Sequence, residues 1–290
     1  MINLFLTSSG PVNMARVLIL GGDSILGKML TAHLSYGHIV SSSSRKNGSE
    51  LYIDALKFEE CKIDYANYDF IVNLIAISKF SECEKEPDKA KLVNIDFPLK
   101  VLNCLREGAT RFLQISTSAV FSCDTPCQEL ESPKIPTSVY GQQKLDLELA
   151  LLEAGVAEIL RITKVIHPND LLGQKLKCIK SGEYVNIFSD LYFCPISLDC
   201  FLQGVRTILN QGSELVYQLS GDRDISYADA LKHIVFNLGL DISKVISVGC
   251  DNYITPTNIL RYTSMQTSKI FLEPDRFVLD THKQLEICYV

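Results

Sequence analysis

Tryptophan is absent from this chain of 290 residues, and methionine and histidine are scarce, with four and five residues. The histidines lack the close spacing of paired metal ligands, and no second close cysteine pair accompanies Cys123 and Cys127. The sequence therefore predicts no metal site. We interpret the histidines as structural or surface residues; they are His33, His38, His167, His233 and His282.

Two further absences exclude whole classes of protein. Acidic residues outnumber basic ones, and the net charge of -6 argues against a general nucleic-acid binder. The longest apolar runs, such as Phe70–Ile77, have the length of a strand and fall far short of the roughly 20 residues that a membrane-spanning helix needs. We therefore expect neither nucleic acid nor membrane among the partners.

The overall composition is typical of a globular protein. With 47% hydrophobic and 21% charged residues, disorder is not expected, and the length suits one large α/β domain with an appended lobe or two domains. Ten cysteines scattered over the chain favour free thiols in the reducing cytoplasm over a disulfide scaffold. Residues 1–13 lack the basic start of a signal peptide, and we interpret them as a leader that is either a disordered extension or the result of a misassigned start.

The first strong pattern is a strand, a glycine turn and a helix. The β-branched and leucine-rich run Arg16–Leu20 precedes the turn Gly21–Gly27, and a helical pattern covers Lys28–Leu34. In this order the backbone N–H groups of the turn and the dipole of the helix can bind the diphosphate of a dinucleotide. The spacing is Gly-x-x-Ser-x-x-Gly, so that Ser24 stands where a glycine would let the backbone come closest.

A second strand, His38–Ser44, is predicted to end beside the ribose of the bound nucleotide. Arg45 follows it and no carboxylate does, which favours NADP(H) over NAD(H), because an arginine accommodates a 2′-phosphate at this place. The alternative is a solvated basic turn. Leu51–Leu56 is predicted as a short third strand, and its Asp54 is a candidate contact for the adenine end of the cofactor.

The rest of the first half continues the alternation of strands and helices. Asp69–Ser78 reads as a buried strand, and its tail, which contains Leu74 and Ala76, should reach the cofactor. The following elements are predicted as helices at Glu82–Asn94, Pro98–Arg106 and Val139–Glu153 and as strands at Arg111–Thr117 and Ala157–Thr163. This alternation predicts a doubly wound parallel sheet of Rossmann type.

Tyr140 and Lys144 carry the chemistry that the sequence suggests. At a spacing of four residues on a helix, a phenol and an ammonium share one face, and the positive charge is expected to lower the tyrosine pKa toward the range of a general acid or base. Thr117, at the end of its strand, would supply a second hydroxyl to the same carbonyl oxygen. The alternative is an ordinary solvated helix face, which the two residues alone would favour.

The motifs in combination resemble those of the extended short-chain dehydrogenases, and more narrowly the dTDP-4-dehydrorhamnose reductase family. The resemblance runs from about Arg16 to Lys269. It rests on the glycine turn, Asn-Leu-Ile-Ala at 73–76, Ile-Ser-Thr at 115–117, Tyr-x3-Lys-x3-Glu at 140–148, Leu-Arg at 160–161, and the later segments Phe193–Ser197 and Leu219–Tyr227.

This resemblance implies a Rossmann cofactor domain at 14–164 and a smaller α/β substrate lobe at 165–290 that is interleaved with the first domain. It implies that Thr117, Tyr140 and Lys144 are catalytic and that Tyr140 and Lys144 also contact the cofactor. Further cofactor contacts are expected at Gly21, Ser24, Ile25, Leu26, Gly27, Arg45, Asp54, Leu74 and Ala76. Arg261 is the candidate for binding the diphosphate of a nucleotide sugar.

The implied activity is the NADPH-dependent reduction of a nucleotide-linked 4-keto-6-deoxy sugar in polysaccharide biosynthesis. The chain departs from the family at Ser118-Ala119, where Asp-Tyr is usual, and at Tyr262, where proline is usual. Two alternatives therefore stay open: an epimerase or dehydratase of nucleotide sugars, and a non-catalytic NADP-binding regulatory subunit. A homodimer is compatible with each of them.

Overall fold

The computed structural model describes residues 14–46, 49, 51–61, 63–105, 110–155, 157–250, 260–273 and 276–290. The leader predicted at 1–13 lies outside the described residues. The described strands are β1 (Arg16–Leu20), β2 (Ile39–Ser42), β3 (Phe70–Asn73), β4 (Arg111–Thr117), β5 (Ala157–Ile162), β6 (Lys164–Ile166), β7 (Val185–Phe188), β8 (Tyr192–Phe193), β9 (Pro195–Ser197), β10 (Val216–Leu219), β11 (Ile225–Ser226) and β12 (Val245–Val248).

The described α-helices lie between these strands and at the end of the chain. They are α1 (Ile25–Leu34), α2 (Phe80–Lys85), α3 (Pro87–Lys91), α4 (Phe97–Asn103), α5 (Val139–Ala154), α6 (Leu171–Lys180), α7 (Leu198–Gln211), α8 (Tyr227–Asn237) and α9 (Thr281–Tyr289). Within the described ranges, no helix combines the length and the apolar character that a bilayer-spanning segment requires.

A six-stranded parallel sheet with the order β10-β5-β4-β3-β1-β2 forms the centre of the molecule. The chain runs outward from β1 in one direction to β2 and in the other direction through β3, β4 and β5. In such sheets the point where the direction reverses leaves a crevice at the carboxyl ends of the strands, and ligands bind there. The predicted α/β fold of Rossmann type is confirmed.

Helices cover both faces of this sheet, as the continuous apolar strands require. On one face Val17 and Ile19 of β1 pack with residues of α1 and α7, and on the other Leu18 and Leu20 pack with residues of α4 and α5. The last four of the five side chains of β1, those of residues 17–20, are fully buried. The sheet is therefore a rigid base for whatever side chains stand at its carboxyl edge.

The second half of the chain contributes to both parts of the fold. Helix α7 and strand β10 belong to the central sheet and its cover, whereas α6, α8 and α9 pack with β7 and β12 around a separate core. A parallel pair of β6 and β9 links the two parts. The exact boundary at residue 164 stays a prediction.

The predicted third strand at Leu51–Leu56 is wrong. The segment makes a single β-bridge, between Ser44 and Tyr52, and then turns into a 3₁₀ helix at Ala55–Glu60. The Asp54 carboxylate accepts a hydrogen bond from the Leu56 N–H at 3.0 Å. A short acidic side chain that satisfies a backbone N–H in this way starts a helical turn instead of continuing a strand.

The predicted helix at Glu82–Asn94 is divided. Glu86 has a non-helical backbone with φ −131° and ψ 63°, and Pro87 begins α3. Because proline has no N–H to donate to the preceding turn, it starts a new helix at this point. A π-helical turn at Leu92–Asp96 then leads into α4, whose predicted end at Arg106 lies outside the described residues.

Candidate active site

A cleft of about 700 Å³ opens at the carboxyl ends of four sheet strands. Each of these strands contributes one residue to the walls, either from its end or from the segment that follows it: Ser24, Ala76, Thr117 and Thr163. The opposite wall comes from the C-terminal lobe and includes Leu191, Tyr192, Phe193, Tyr227 and Thr263. The cleft thus lies between the two parts of the chain and at the switch point of the sheet.

A smaller cavity of about 380 Å³, here called the side pocket, adjoins the cleft and shares Ser24, Leu74, Ile75 and Ala76 with it. Its apolar wall includes Ile53, Leu56 and Val93, and its polar lining includes Arg45 and Asp54. An apolar slot with a few polar groups at its edge could hold a nucleoside. The segment that follows β3, which was predicted to reach a cofactor, therefore lines both cavities.

The glycine turn is built for a close approach of backbone segments. Gly21 has φ +95°, a conformation that favours glycine, and a Cβ on Gly27 would collide with the carbonyl oxygen of Gly21. The Ser24 hydroxyl donates to that same oxygen at 2.9 Å and accepts from the Gly27 N–H at 2.9 Å, so it caps α1. Ser24 stands where a glycine is usual, and its side chain stabilises the turn through these two hydrogen bonds.

Two residues of the turn were not singled out from the sequence. A Cβ on Gly22 would stand 2.6 Å from the Cβ of Ser42, so glycine is needed where the turn meets β2. The carboxylate of Asp23 accepts hydrogen bonds from the Ser44 hydroxyl at 2.8 Å and from the Arg45 N–H at 3.0 Å. The consecutive glycines were a signal for the first residue, but nothing in the order of residues places Asp23 beside β2.

Helix α5 brings Tyr140 and Lys144 into the wall of the cleft, together with Thr117 at the end of β4. The Ser138 hydroxyl caps the helix by accepting from the Gly141 N–H at 3.1 Å. A Cβ on Gly141 would collide with the carbonyl oxygen of Ala119, in the turn that follows Thr117. The close contact between the start of α5 and the end of β4 therefore requires the glycine beside Tyr140.

Lys144 is only 2% exposed, and its ammonium donates to the carbonyl oxygen of Ile115 at 2.6 Å. Burial lowers the pKa of Lys144 to about 8, although the Glu148 carboxylate acts in the opposite direction. Glu148 is itself buried and accepts hydrogen bonds from the Ser116 hydroxyl at 2.5 Å and from Arg161 at 2.8 Å. The ion pair with Arg161 joins α5 to β5, and the hydrogen bond from Ser116 joins α5 to β4, directly behind the cleft.

Tyr140 packs its ring against Phe80, with 5.6 Å between the ring centroids, and its hydroxyl makes no hydrogen bond with the described residues. Burial raises the pKa of Tyr140, and the nearby thiol of Cys83 adds to the effect. The expectation that Lys144 lowers this pKa is wrong for the protein without ligands. The Lys144 ammonium is engaged by Ile115, and removal of the phenol from water is the larger effect.

The predicted substrate contact Arg261 is exposed and lines neither cavity, whereas Leu260 and Thr263 on either side of it line the cleft. Lys164, which the sequence did not single out, is an exposed cation in the cleft wall. The hydroxyl of Thr163 is buried at the same wall and has no hydrogen-bond partner among the described residues. Ser118, at the corner that departs from the family pattern, also lines the cleft.

Comparisons with known proteins identify a family. The family model described as RmlD substrate binding domain matches residues 15–282. A spore coat polysaccharide biosynthesis protein, SpsK of Bacillus subtilis, is 26% identical over 249 residues, which are 83% of this chain and 85% of that protein. The dTDP-4-dehydrorhamnose reductase of Mycolicibacterium smegmatis is 27% identical over 263 residues, 88% of this chain and 79% of that protein. The match to the Salmonella typhimurium reductase covers about half of that protein, 50%, at 27% identity.

Solved structures show the same fold. A dTDP-4-dehydrorhamnose reductase from Bacillus anthracis in complex with NADP superposes with a TM-score of 0.80 at 18% identity, covering 95% of this chain and 99% of that chain. An enzyme of the same name from Yersinia enterocolitica also gives 0.80 at 18% identity, with 94% and 98% covered. With the family model matched from β1 to α9, this chain belongs to the RmlD substrate binding domain family.

Proposed function

We propose that the protein is an NADPH-dependent reductase of a nucleotide-linked 4-keto-6-deoxy sugar, as in deoxysugar and polysaccharide biosynthesis. The observation that carries the proposal is that Thr117, Tyr140 and Lys144 line one cleft together with residues of the glycine turn. The names of the relatives, dTDP-4-dehydrorhamnose reductases and a spore coat polysaccharide biosynthesis protein, support the substrate class.

The residues that line the two cavities support the proposed cofactor. The glycine turn at the start of α1 would hold the diphosphate, where the helix dipole favours negative charge. The side pocket would take the adenosine end, with Asp54 near the base and Arg45 near a 2′-phosphate. Arg45 is our reason for proposing a preference for NADPH over NADH, and the structures of two relatives with NADP and NADPH are compatible with it.

The bound nicotinamide supplies the hydride, and the side chains of the protein handle the proton. Tyr140, which is protonated at neutral pH, donates its phenolic proton to the oxygen that becomes an alcohol. Thr117 donates a hydrogen bond to the same oxygen. Its Oγ1 atom accepts from the Ala119 N–H at 3.2 Å, and this bond leaves the hydroxyl hydrogen free to donate. Lys144 would bind the ribose hydroxyls of the cofactor.

The sugar diphosphate needs cations on the other side of the cleft. Lys164 is our first candidate because it lines the cleft and is exposed, and Arg261 is the second because it follows Leu260 in the wall. The aromatic side chains of Tyr192, Phe193 and Tyr227 offer ring faces and edges to a nucleobase.

The test is a titration of the purified protein with NADPH and NADH and a panel of dTDP-, UDP-, GDP- and CDP-linked ketosugars, followed by absorbance of the nicotinamide. We expect net oxidation of NADPH with one ketosugar. Tightly retained NAD with no net consumption would instead indicate an epimerase or dehydratase. Binding of NADP without turnover, together with a co-purifying enzyme, would indicate a regulatory subunit.

A further inference from the structure

Asp23 supplies the carboxylate that the end of β2 lacks in sequence. It lies in the glycine turn, yet its Oδ2 accepts from the Ser44 hydroxyl at 2.8 Å and from the Arg45 N–H at 3.0 Å. Both Asp23 and Arg45 line the side pocket. An anion and a cation therefore flank the same place, where a ribose hydroxyl or a 2′-phosphate distinguishes NADH from NADPH.

The carboxylate is held in its charged form and is available to a ligand. The Ser44 hydroxyl and the Arg45 N–H lower the pKa of Asp23, and Lys46 and Lys28 contribute less. Both hydrogen bonds use Oδ2, and within the described part of the chain nothing donates to Oδ1. A carboxylate oxygen in this state accepts well from a sugar hydroxyl and repels a phosphate.

We propose that Asp23 is a second determinant of cofactor choice that opposes Arg45 and keeps NADH usable. The proposal rests on the proposed function, since it concerns the same dinucleotide site. Arg45 attracts a 2′-phosphate, whereas Asp23 repels it and accepts a hydrogen bond from the 2′-hydroxyl of NADH. Together the two side chains set the ratio of the NADPH affinity to the NADH affinity. This ratio is closer to one than it would be with Arg45 alone.

The experiment measures the dissociation constants of NADPH and NADH for the purified full-length protein by calorimetry or fluorescence, without substrate. Asp23→Asn keeps an acceptor oxygen for Ser44 and Arg45 but removes the charge. We expect NADPH to bind about tenfold more tightly relative to NADH in this variant, and the gain to shrink at high salt as screening removes the repulsion. Arg45→Ala should move the ratio in the opposite direction.

Ser44→Ala is the matched control, because it removes the hydrogen bond and leaves the charge. We expect its ratio to stay within about twofold of the parent, which separates electrostatics from the shape of the turn. If Asp23→Asn weakens both cofactors equally, or leaves the ratio unchanged while Arg45→Ala lowers it, Asp23 does not select and only the proposal for Arg45 stands. If neither variant changes the ratio, both assignments at the side pocket are wrong.

Discussion

A phenol with an ordinary pKa of about 10 is protonated at neutral pH, and burial raises the pKa of Tyr140 further. This state suits an acid that gives a proton to a developing alkoxide, which is the direction a reductase needs. The same position in a dehydrogenase would require the opposite protonation state. The proposed reduction therefore starts from the protonation state that Tyr140 already has.

Replacement of Tyr140 by phenylalanine tests that role. We expect kcat with the ketosugar to fall by about a hundredfold or more, because general acid catalysis is lost, while the NADPH dissociation constant changes little. Thermal stability should be unchanged, since no hydrogen bond of the described residues is removed. Tyr184→Phe, at a residue that is 67% exposed and lines neither cavity, is the control. Full activity of Tyr140→Phe would contradict the role of Tyr140 as the general acid.

The pH dependence should report on Lys144. With a pKa of about 8, its ammonium loses the proton above that pH, and binding of the ribose hydroxyls should weaken. We therefore expect kcat/KM to decline on the alkaline side from about pH 8. In Glu148→Gln the carboxylate that raises the Lys144 pKa is gone, so the decline should begin at a lower pH. A profile that is identical in both proteins would contradict this account.

At the scale of elements, the approach of α5 to the turn after β4 decides whether the site forms. Gly141 permits this approach, because any side chain there would collide with the Ala119 carbonyl oxygen. Tyr140 precedes this glycine and Thr117 precedes the turn, so the distance between the two hydroxyls depends on the contact. The glycine of the Tyr-Gly pair was visible in the sequence, but its partner in space was not.

Gly141→Ala should therefore lower both stability and activity, as the helix is displaced from the turn. Gly155→Ala is the matched comparison, because Gly155 ends the same helix with φ +67° and a Cβ added there would meet no atom within 4 Å beyond its chain neighbours and the backbone of its own helix. An alanine there is expected to cost about 1 kcal/mol through backbone strain alone. Both variants should melt earlier in a thermal scan, but only Gly141→Ala should lose cofactor binding and turnover. Equal losses of activity in both would disprove the positioning role.

At the scale of the whole molecule, two histidines near the start of the fold make stability depend on pH. Burial lowers the pKa of His33 and of His38, and the charge of Arg206 adds to the effect. Their Nε2 atoms are buried and have no partner among the described residues. The folded protein therefore resists protonation of both rings, whereas the unfolded chain accepts protons at about pH 6.5.

The sign of the effect follows from this difference. Since the unfolded state binds more protons, this contribution is fully present above about pH 6.5 and is lost as the pH falls toward the folded pKa values. We expect the urea midpoint to drop between pH 7.5 and pH 5.5, and to drop less in the double variant His33→Gln/His38→Gln. The same drop in parent and double variant would assign the acid sensitivity to other groups.

Much of the framework was predictable because it depends on neighbours in sequence. Apolar runs bounded by turns predicted β1, β4 and β5 closely, and the order of strand, glycine turn and helix predicted the cofactor end of the sheet. The predictions failed where a single polar side chain redirected the backbone. Asp54 starts a helical turn in place of the third strand, and Pro87 divides a helix whose charge pattern looked continuous.

By itself the sequence determined the alternation of elements, the family, and which hydroxyl and ammonium share one helix face, since periodicity and short motifs encode these locally. Only the tertiary structure decided that burial raises the pKa of Tyr140, that Lys164 and not Arg261 lines the cleft, and that Asp23 stands beside Arg45. Desolvation and contacts between distant segments depend on how the chain packs. The spacing of residues along the chain does not encode this desolvation or these contacts.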